Sequence, residues 1–184
     1  MRLPALLSGG AILAAAVLRA QAGIELPGGS AGIGFDDLRF APASGSLLVP
    51  AGRTGALLLI DPSTRGVTPV AGFTVKTEFS GGHDDGVTSA DEGRGWIFAT
   101  DRTSRLLAIV DPRSRKIVSS VKLGGPPDYV RFVPTTGEVW VTQPGGDSIE
   151  SVLSGRSTRP VESKRPRRNI PWRNALEPVI RQAR

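Results

Sequence analysis

Short apolar runs separated by polar turns divide most of this chain into segments of β-strand length. Between residues 44 and 70, in "SGSLLVPAGRTGALLLIDPSTRGVTPV", one apolar run is followed by a glycine-containing turn, a second run ending in Asp-Pro, a further turn and another strand. Such runs, bounded by glycine and proline, predict antiparallel strands joined by hairpins. The 23 glycines, the 15 prolines and the low aromatic content of 5% also favour sheets over a helical bundle.

The pattern is repeated along the chain. Residues 36–70 align with residues 85–121, and a third copy covers residues 128–152 but stops after its third strand. The first strands of the first and third copies, "LRFAP" and "VRFVP", lie 92 positions apart. A period of about 46 residues with four strands is typical of β-propeller blades. The sequence therefore predicts an all-β fold of four-stranded antiparallel up-and-down sheets over residues 35–153.

An Asp-Pro pair ends the third strand of the first two copies. Because proline has no N–H to donate inside a sheet, Pro62 and Pro112 predict strand ends. The preceding Asp61 and Asp111 are expected to accept hydrogen bonds from the amides of the turn that follows.

A family resemblance is carried by the second and third copies. Residues 97–143, "IFATDRTSRLLAIVDPRSRKIVSSVKLGGPPDYVRFVPTTGEVWVTQ", and residues 139–152, "VWVTQPGGDSIESV", resemble the YVTN-repeat propellers that include YncE-like periplasmic proteins. "WVTQ" at residues 140–143 stands where the motif of the family falls, and "FATD" at residues 98–101 is its looser counterpart. The resemblance covers about residues 35–153. It implies an exported propeller, typically of seven blades, whose activity is often unassigned.

Three blades are too few to close a ring, because each blade buries its faces against two neighbours. The sequence thus predicts an incomplete ring, with Trp140 in or beside an uncovered apolar face. Open blade edges make self-association an expected property of the chain.

The first 22 residues have the layout of a secretory signal peptide. Arg2 precedes an apolar run from about Leu3 to Leu18, and "AQA" at residues 20–22 matches a small-x-small cleavage site. The alternative is an uncleaved anchor. We expect a periplasmic or secreted protein with residues 23–34 as a linker and no membrane attachment after cleavage.

The strongly basic character belongs to residues 154–184, where the repeat ends. Residues 151–184 contain nine Lys and Arg and two Asp and Glu, a net charge of +7. Because the whole chain has a net charge of +6, residues 1–150 have a net charge of −1. We expect this Pro- and Arg-rich tail to be disordered. A truncated or frame-shifted propeller explains it best, and the alternative is a genuine basic tail in which "SKRPRRN" is a nucleic-acid patch. Specific nucleic-acid binding is not expected in an exported chain.

Candidate binding residues lie where the first strands of the three copies begin. An aspartate precedes each of these strands by two residues, so three carboxylates are predicted at one channel rim, where a cation or a basic ligand would bind. The lone histidine and two repeated arginines would contribute. The predicted rim residues are Asp36, Asp85, Asp128, His83, Arg39 and Arg131. The alternative is that these aspartates only satisfy turn amides.

Three functions remain open. The first is a non-catalytic scaffold that binds a ligand or protein at its channel face. The second is a remnant of a lactonase or quinoprotein enzyme, and the third is a nonfunctional fragment whose basic tail adheres to polyanions. The absence of cysteine excludes disulfides, thiolate metal sites and cysteine nucleophiles. One histidine and three aspartates favour binding over catalysis. No cofactor is expected, and the sequence does not specify which metal the rim would bind.

Overall fold

The computed structural model of the protein describes residues 23–146 and 149–153. Residue 153 is described by its backbone alone. The predicted signal peptide and the predicted basic tail lie outside the described residues. Within the described part of the chain, no helix is both long and apolar enough to cross a membrane.

Over the described residues, eleven strands form three antiparallel sheets, each with its strands in chain order. Sheet 1 contains β1 (Arg39–Ala41), β2 (Ser46–Pro50), β3 (Thr54–Ile60) and β4 (Val67–Val75). Sheet 2 contains β5 (Val87–Gly93), β6 (Trp96–Asp101), β7 (Leu106–Asp111) and β8 (Lys116–Lys122). Sheet 3 contains β9 (Val130–Val133), β10 (Glu138–Thr142) and β11 (Ile149–Leu153). The predicted fold class is confirmed, and the three sheets do not close into a ring over the described residues.

Apolar side chains pack between neighbouring sheets. The cluster between sheets 1 and 2 is built from fully buried residues that include Leu57, Val87 and Ile97. The cluster between sheets 2 and 3 joins Phe98 and Leu107 to the valines of β9, β10 and β11. Alternate residues of a strand point to opposite faces, so β6 and β7 of sheet 2 each contribute to both clusters.

The Asp-Pro turns have the hydrogen bonds that the sequence predicts. Asp61 accepts bonds from the amides of Ser63 and Thr64, at 2.7 and 3.2 Å. Asp111 accepts a bond from the amide of Arg113 at 3.0 Å and another from the Ser114 hydroxyl at 2.8 Å. These bonds stabilise the charged carboxylates, and the pKa of each aspartate is lowered, with the turn amide as the largest cause.

The predicted linker is packed against sheet 1. Leu26 and Ile33 lie on a buried apolar cluster that includes Val49 and Leu58, on the face of sheet 1 opposite sheet 2. The buried Arg53 donates to the carbonyl oxygens of Gly32 at 2.8 Å and Gly28 at 3.2 Å. Sequence patterning had not identified this anchor.

The outer face of sheet 3 is exposed. Trp140 and Ile149 have 43% and 57% of their surface accessible, whereas Val139 and Val141, which point the other way, are fully buried. The indole N–H of Trp140 donates to Glu138 at 3.2 Å. The outer face of sheet 3 therefore exposes the apolar side chains of Trp140 and Ile149 to solvent.

Candidate functional site

Polar side chains link the inner strands of the three sheets. The buried carboxylate of Asp91, on β5, accepts from the Arg39 side chain of β1 and, at 2.7 Å, from the backbone N–H of Phe132 on β9. One side chain thus connects all three sheets where their first strands lie side by side.

A second connection runs from the segment before β1 to β9. Asp37 accepts a bond from the Ser89 hydroxyl at 2.6 Å and one from Arg131 at 2.8 Å. The Arg131 guanidinium also lies 5.5 Å from the centroid of the Tyr129 ring. Arg39 and Arg131, both predicted as rim residues, therefore lie in contacts between sheets.

Asp36, His83 and Asp128 form a group that we call the rim cluster. Each offers one ligand atom, and these atoms all lie within 4.8 Å of one another. The His83 Nε2 atom lies 3.9 Å from Asp36 Oδ1. Asp36 precedes β1 and Asp128 precedes β9, while His83 lies in the glycine-rich loop before β5. The structure thus brings together three of the predicted residues, one from the entry to each sheet.

Asp36 is the most enclosed member of the rim cluster. Its side chain is 9% exposed. Its Oδ1 atom accepts a bond from the Tyr129 hydroxyl at 3.0 Å, but its Oδ2 atom is buried and has no hydrogen-bond partner among the described residues. Buried carboxylate oxygens normally have donors, so this oxygen is an unfilled acceptor position.

The electrostatics of the site centre on the two neighbouring carboxyls. Burial raises the pKa of Asp128 above its ordinary value, and hydrogen bonding with Asp36 raises it further, while Arg102 and His83 act in the opposite direction. The Arg102 guanidinium lies 3.1 Å from Asp128 Oδ1. The hydrogen bond to Asp36 also raises the pKa of Tyr129, which keeps the phenol protonated at neutral pH.

Asp85, the third predicted carboxylate, lies outside the rim cluster. Its Oδ1 atom is 2.5 Å from the ammonium of Lys76. The aspartate that precedes sheet 2 is therefore neutralised by an ion pair, and His83 occupies the place beside Asp36 and Asp128.

An open groove of about 500 Å³ adjoins the rim cluster. Asp128 and Tyr129 line it, together with Thr142 and Ile149 of sheet 3 and with Gln143, which follows β10. The groove offers a mixed polar and apolar wall beside the paired carboxyls.

Sheets of antiparallel strands in chain order, stacked face to face with their first strands linked, are the architecture of propeller blades. The chain has a β-propeller fold. No family model matches its sequence, and no curated protein matches it.

Solved structures do match the propeller. Hydrazine synthase from Kuenenia stuttgartiensis superposes with a TM-score of 0.55 and 16% identity, over 72% of this chain and 37% of that one. The β-propeller domain of Cps50 (Swd1) from Myceliophteria thermophila gives a TM-score of 0.47 and 14% identity, over 68% of this chain and 40% of that one. The WD40 repeats of RRP9 give a TM-score of 0.46 and 14% identity, over 67% and 40%. The chain thus spans about two fifths of these structures. The 16% identity to hydrazine synthase shows a likeness of fold alone.

Sequence reasoning missed the residues that support the rim of the propeller. Tyr129 follows Asp128 directly, so its position beside a predicted rim residue was a usable signal. Arg102 and Asp91 carry no such signal, because the contacts they make join residues far apart in the chain.

Proposed function

We propose that this protein is an exported, non-catalytic β-propeller scaffold, related to the YVTN-repeat (YncE-like) proteins, that binds a ligand through a cationic group at the channel rim. The proposal rests on Asp36, which lies in a cluster with a second carboxyl and whose buried Oδ2 atom has no hydrogen-bond partner in the part of the chain that the structure describes. A positively charged group would satisfy this oxygen and relieve the repulsion between Asp36 and Asp128.

The open groove offers room for the body of a ligand. Its volume of about 500 Å³ lies within the range of pockets for small molecules or for a few residues of a peptide. The cationic group would contact Asp36 and Asp128, while the body of the ligand would lie against Thr142 and the exposed Ile149.

The role of Tyr129 supports binding over catalysis. Its hydroxyl donates to Asp36 Oδ1 at 3.0 Å, and its raised pKa makes it a poor base or nucleophile at neutral pH. The phenol therefore holds the carboxylate in place for a bound partner.

Calorimetric titration of the full chain with a short lysine-containing peptide tests the binding site. We expect binding that weakens at least about tenfold in Asp36→Asn, the equivalent of about 1.4 kcal/mol. Binding should also be lost when the lysine is acetylated, since this removes its charge. Asp61→Asn, which alters an exposed turn carboxylate, is the matched control and should bind as the unmodified chain does. Equal binding of the charged and acetylated peptides would disprove a cation-binding rim.

Export is tested separately by recovering the protein from the periplasm of an expressing bacterium and sequencing its N-terminus. Cleavage after residue 22 gives a chain that begins at Gly23. Recovery of the uncleaved chain in the membrane fraction would contradict export as a soluble scaffold.

A further inference from the structure

We infer that the cationic group bound at the rim cluster is a divalent metal ion of the Zn²⁺ class, held by Asp36, His83 and Asp128. The inference rests on the proposed function, because it names the ligand of the same site.

The three ligand atoms would bind a single ion after the distances between them shorten slightly. They lie within 4.8 Å of one another, and the His83 Nε2 to Asp36 Oδ1 distance is 3.9 Å. Two ligands of one zinc ion, each about 2.1 Å from it, are separated by at most about 4.2 Å. The His83 side chain is 47% exposed, so it has room to shift toward the two carboxylates.

Burial of Asp36 is independent support for a bound ion. The side chain is 9% exposed, and no donor within residues 23–146 and 149–153 reaches its Oδ2 atom. A buried carboxylate oxygen is costly without a compensating positive or donor group. A metal ion in contact with Asp36, Asp128 and His83 would supply that charge.

The combination of ligands selects the class of ion. Imidazole nitrogen favours zinc and its transition-metal neighbours, whereas Ca²⁺ and Mg²⁺ prefer sites made of oxygen alone. Three protein ligands leave one position of a tetrahedral zinc site open. Because Asp128 also lines the groove, a ligand in the groove would be able to reach that position.

Neighbouring side chains orient two of the three ligands. Tyr129 donates to Asp36 at 3.0 Å, and Arg102 lies 3.1 Å from Asp128. The charge of Arg102 opposes a bound cation, but its other terminal nitrogen is 3.3 Å from Asp84, which offsets part of that charge. Outer contacts of this kind raise metal affinity by fixing ligand geometry.

Calorimetric titration of the metal-free full chain with Zn²⁺ tests the site, with Ca²⁺ and Mg²⁺ titrated under the same conditions. We expect one zinc ion per chain and much weaker binding of Ca²⁺ and Mg²⁺. His83→Ala and Asp36→Asn should each weaken zinc binding by about 100-fold or more, since loss of an outer contact alone costs about 10- to 100-fold. Tyr129→Phe should fall within that smaller range, and Asp61→Asn should have no effect.

His83 is an exposed loop residue, so His83→Ala tests the ligand without threatening the fold, which far-ultraviolet circular dichroism of each variant would verify. Zinc binding unchanged by His83→Ala and Asp36→Asn would overturn the inference. If zinc does not bind but the lysine peptide does, the metal site is wrong and the cation-binding scaffold stands. If neither binds, both proposals fail.

Discussion

Replacing Asp91 with alanine should destabilise the propeller more than any change at its surface turns. The Asp91 side chain is 6% exposed, and its carboxylate accepts hydrogen bonds from Arg39, from the backbone N–H of Phe132 and from that of Glu92. These donors belong to all three sheets, so the change removes contacts on both sides of sheet 2.

The magnitude follows from the exposure of each partner. The Phe132 N–H, bonded at 2.7 Å, would lose its acceptor in a partly buried place, at a cost of about 1–3 kcal/mol. The Arg39 side chain is 42% exposed, so its pairing contributes only about 0–1 kcal/mol. We expect Asp91→Ala to lower the free energy of unfolding by about 2–3 kcal/mol. Asp91→Asn, which keeps an acceptor for Phe132, should cost about 1 kcal/mol.

Urea unfolding followed by tryptophan fluorescence measures both variants, since Trp96 and Trp140 lie in sheets 2 and 3. A lower midpoint with an unchanged slope is the expected result. If Asp91→Ala stays within about 0.5 kcal/mol of the unmodified chain, as ordinary surface substitutions do, the proposed role of Asp91 in joining the sheets is wrong.

Three further changes test other parts of the structure. The folded-state pKa of Asp128 is raised, so its contribution to stability is present below the ordinary value of 3.8 and is lost as pH rises through the folded pKa. At neutral pH, Asp128→Asn should therefore unfold at a higher temperature than the unmodified, metal-free chain. Thermal unfolding that shows no such gain in Asp128→Asn would refute this. Gly93→Ala should cost about 1–3 kcal/mol in urea unfolding, because its Cβ would lie 2.2 Å from the Phe132 ring, whereas Gly124→Ala meets only ordinary contacts at 3.7 Å or more and should be neutral. Trp140→Ser should weaken any self-association seen by light scattering by about 30-fold, the effect of losing a central interface tryptophan, and unchanged scattering would show that the outer face of sheet 3 is not the contact.

Much of the fold was predictable because it depends on neighbours in the chain. Apolar alternation, glycine turns and proline positions are local signals, and they led to four-stranded antiparallel sheets with Asp61 and Asp111 at matching turns. The repeat then placed Asp36, Asp85 and Asp128 ahead of the first strand of each sheet.

Which of these side chains meet was decided by the tertiary structure. A repeat places backbones in equivalent positions, but the partner of a side chain depends on what the adjoining sheet and loops bring near it. Lys76, at the end of sheet 1, pairs with Asp85, while Asp36 and Asp128 face each other with His83 and Tyr129 beside them. Burial of Asp36, and hence the unfilled acceptor at the rim, arises only when the entries to all three sheets pack together, because no local pattern in the sequence sets the solvent exposure of an aspartate in a loop.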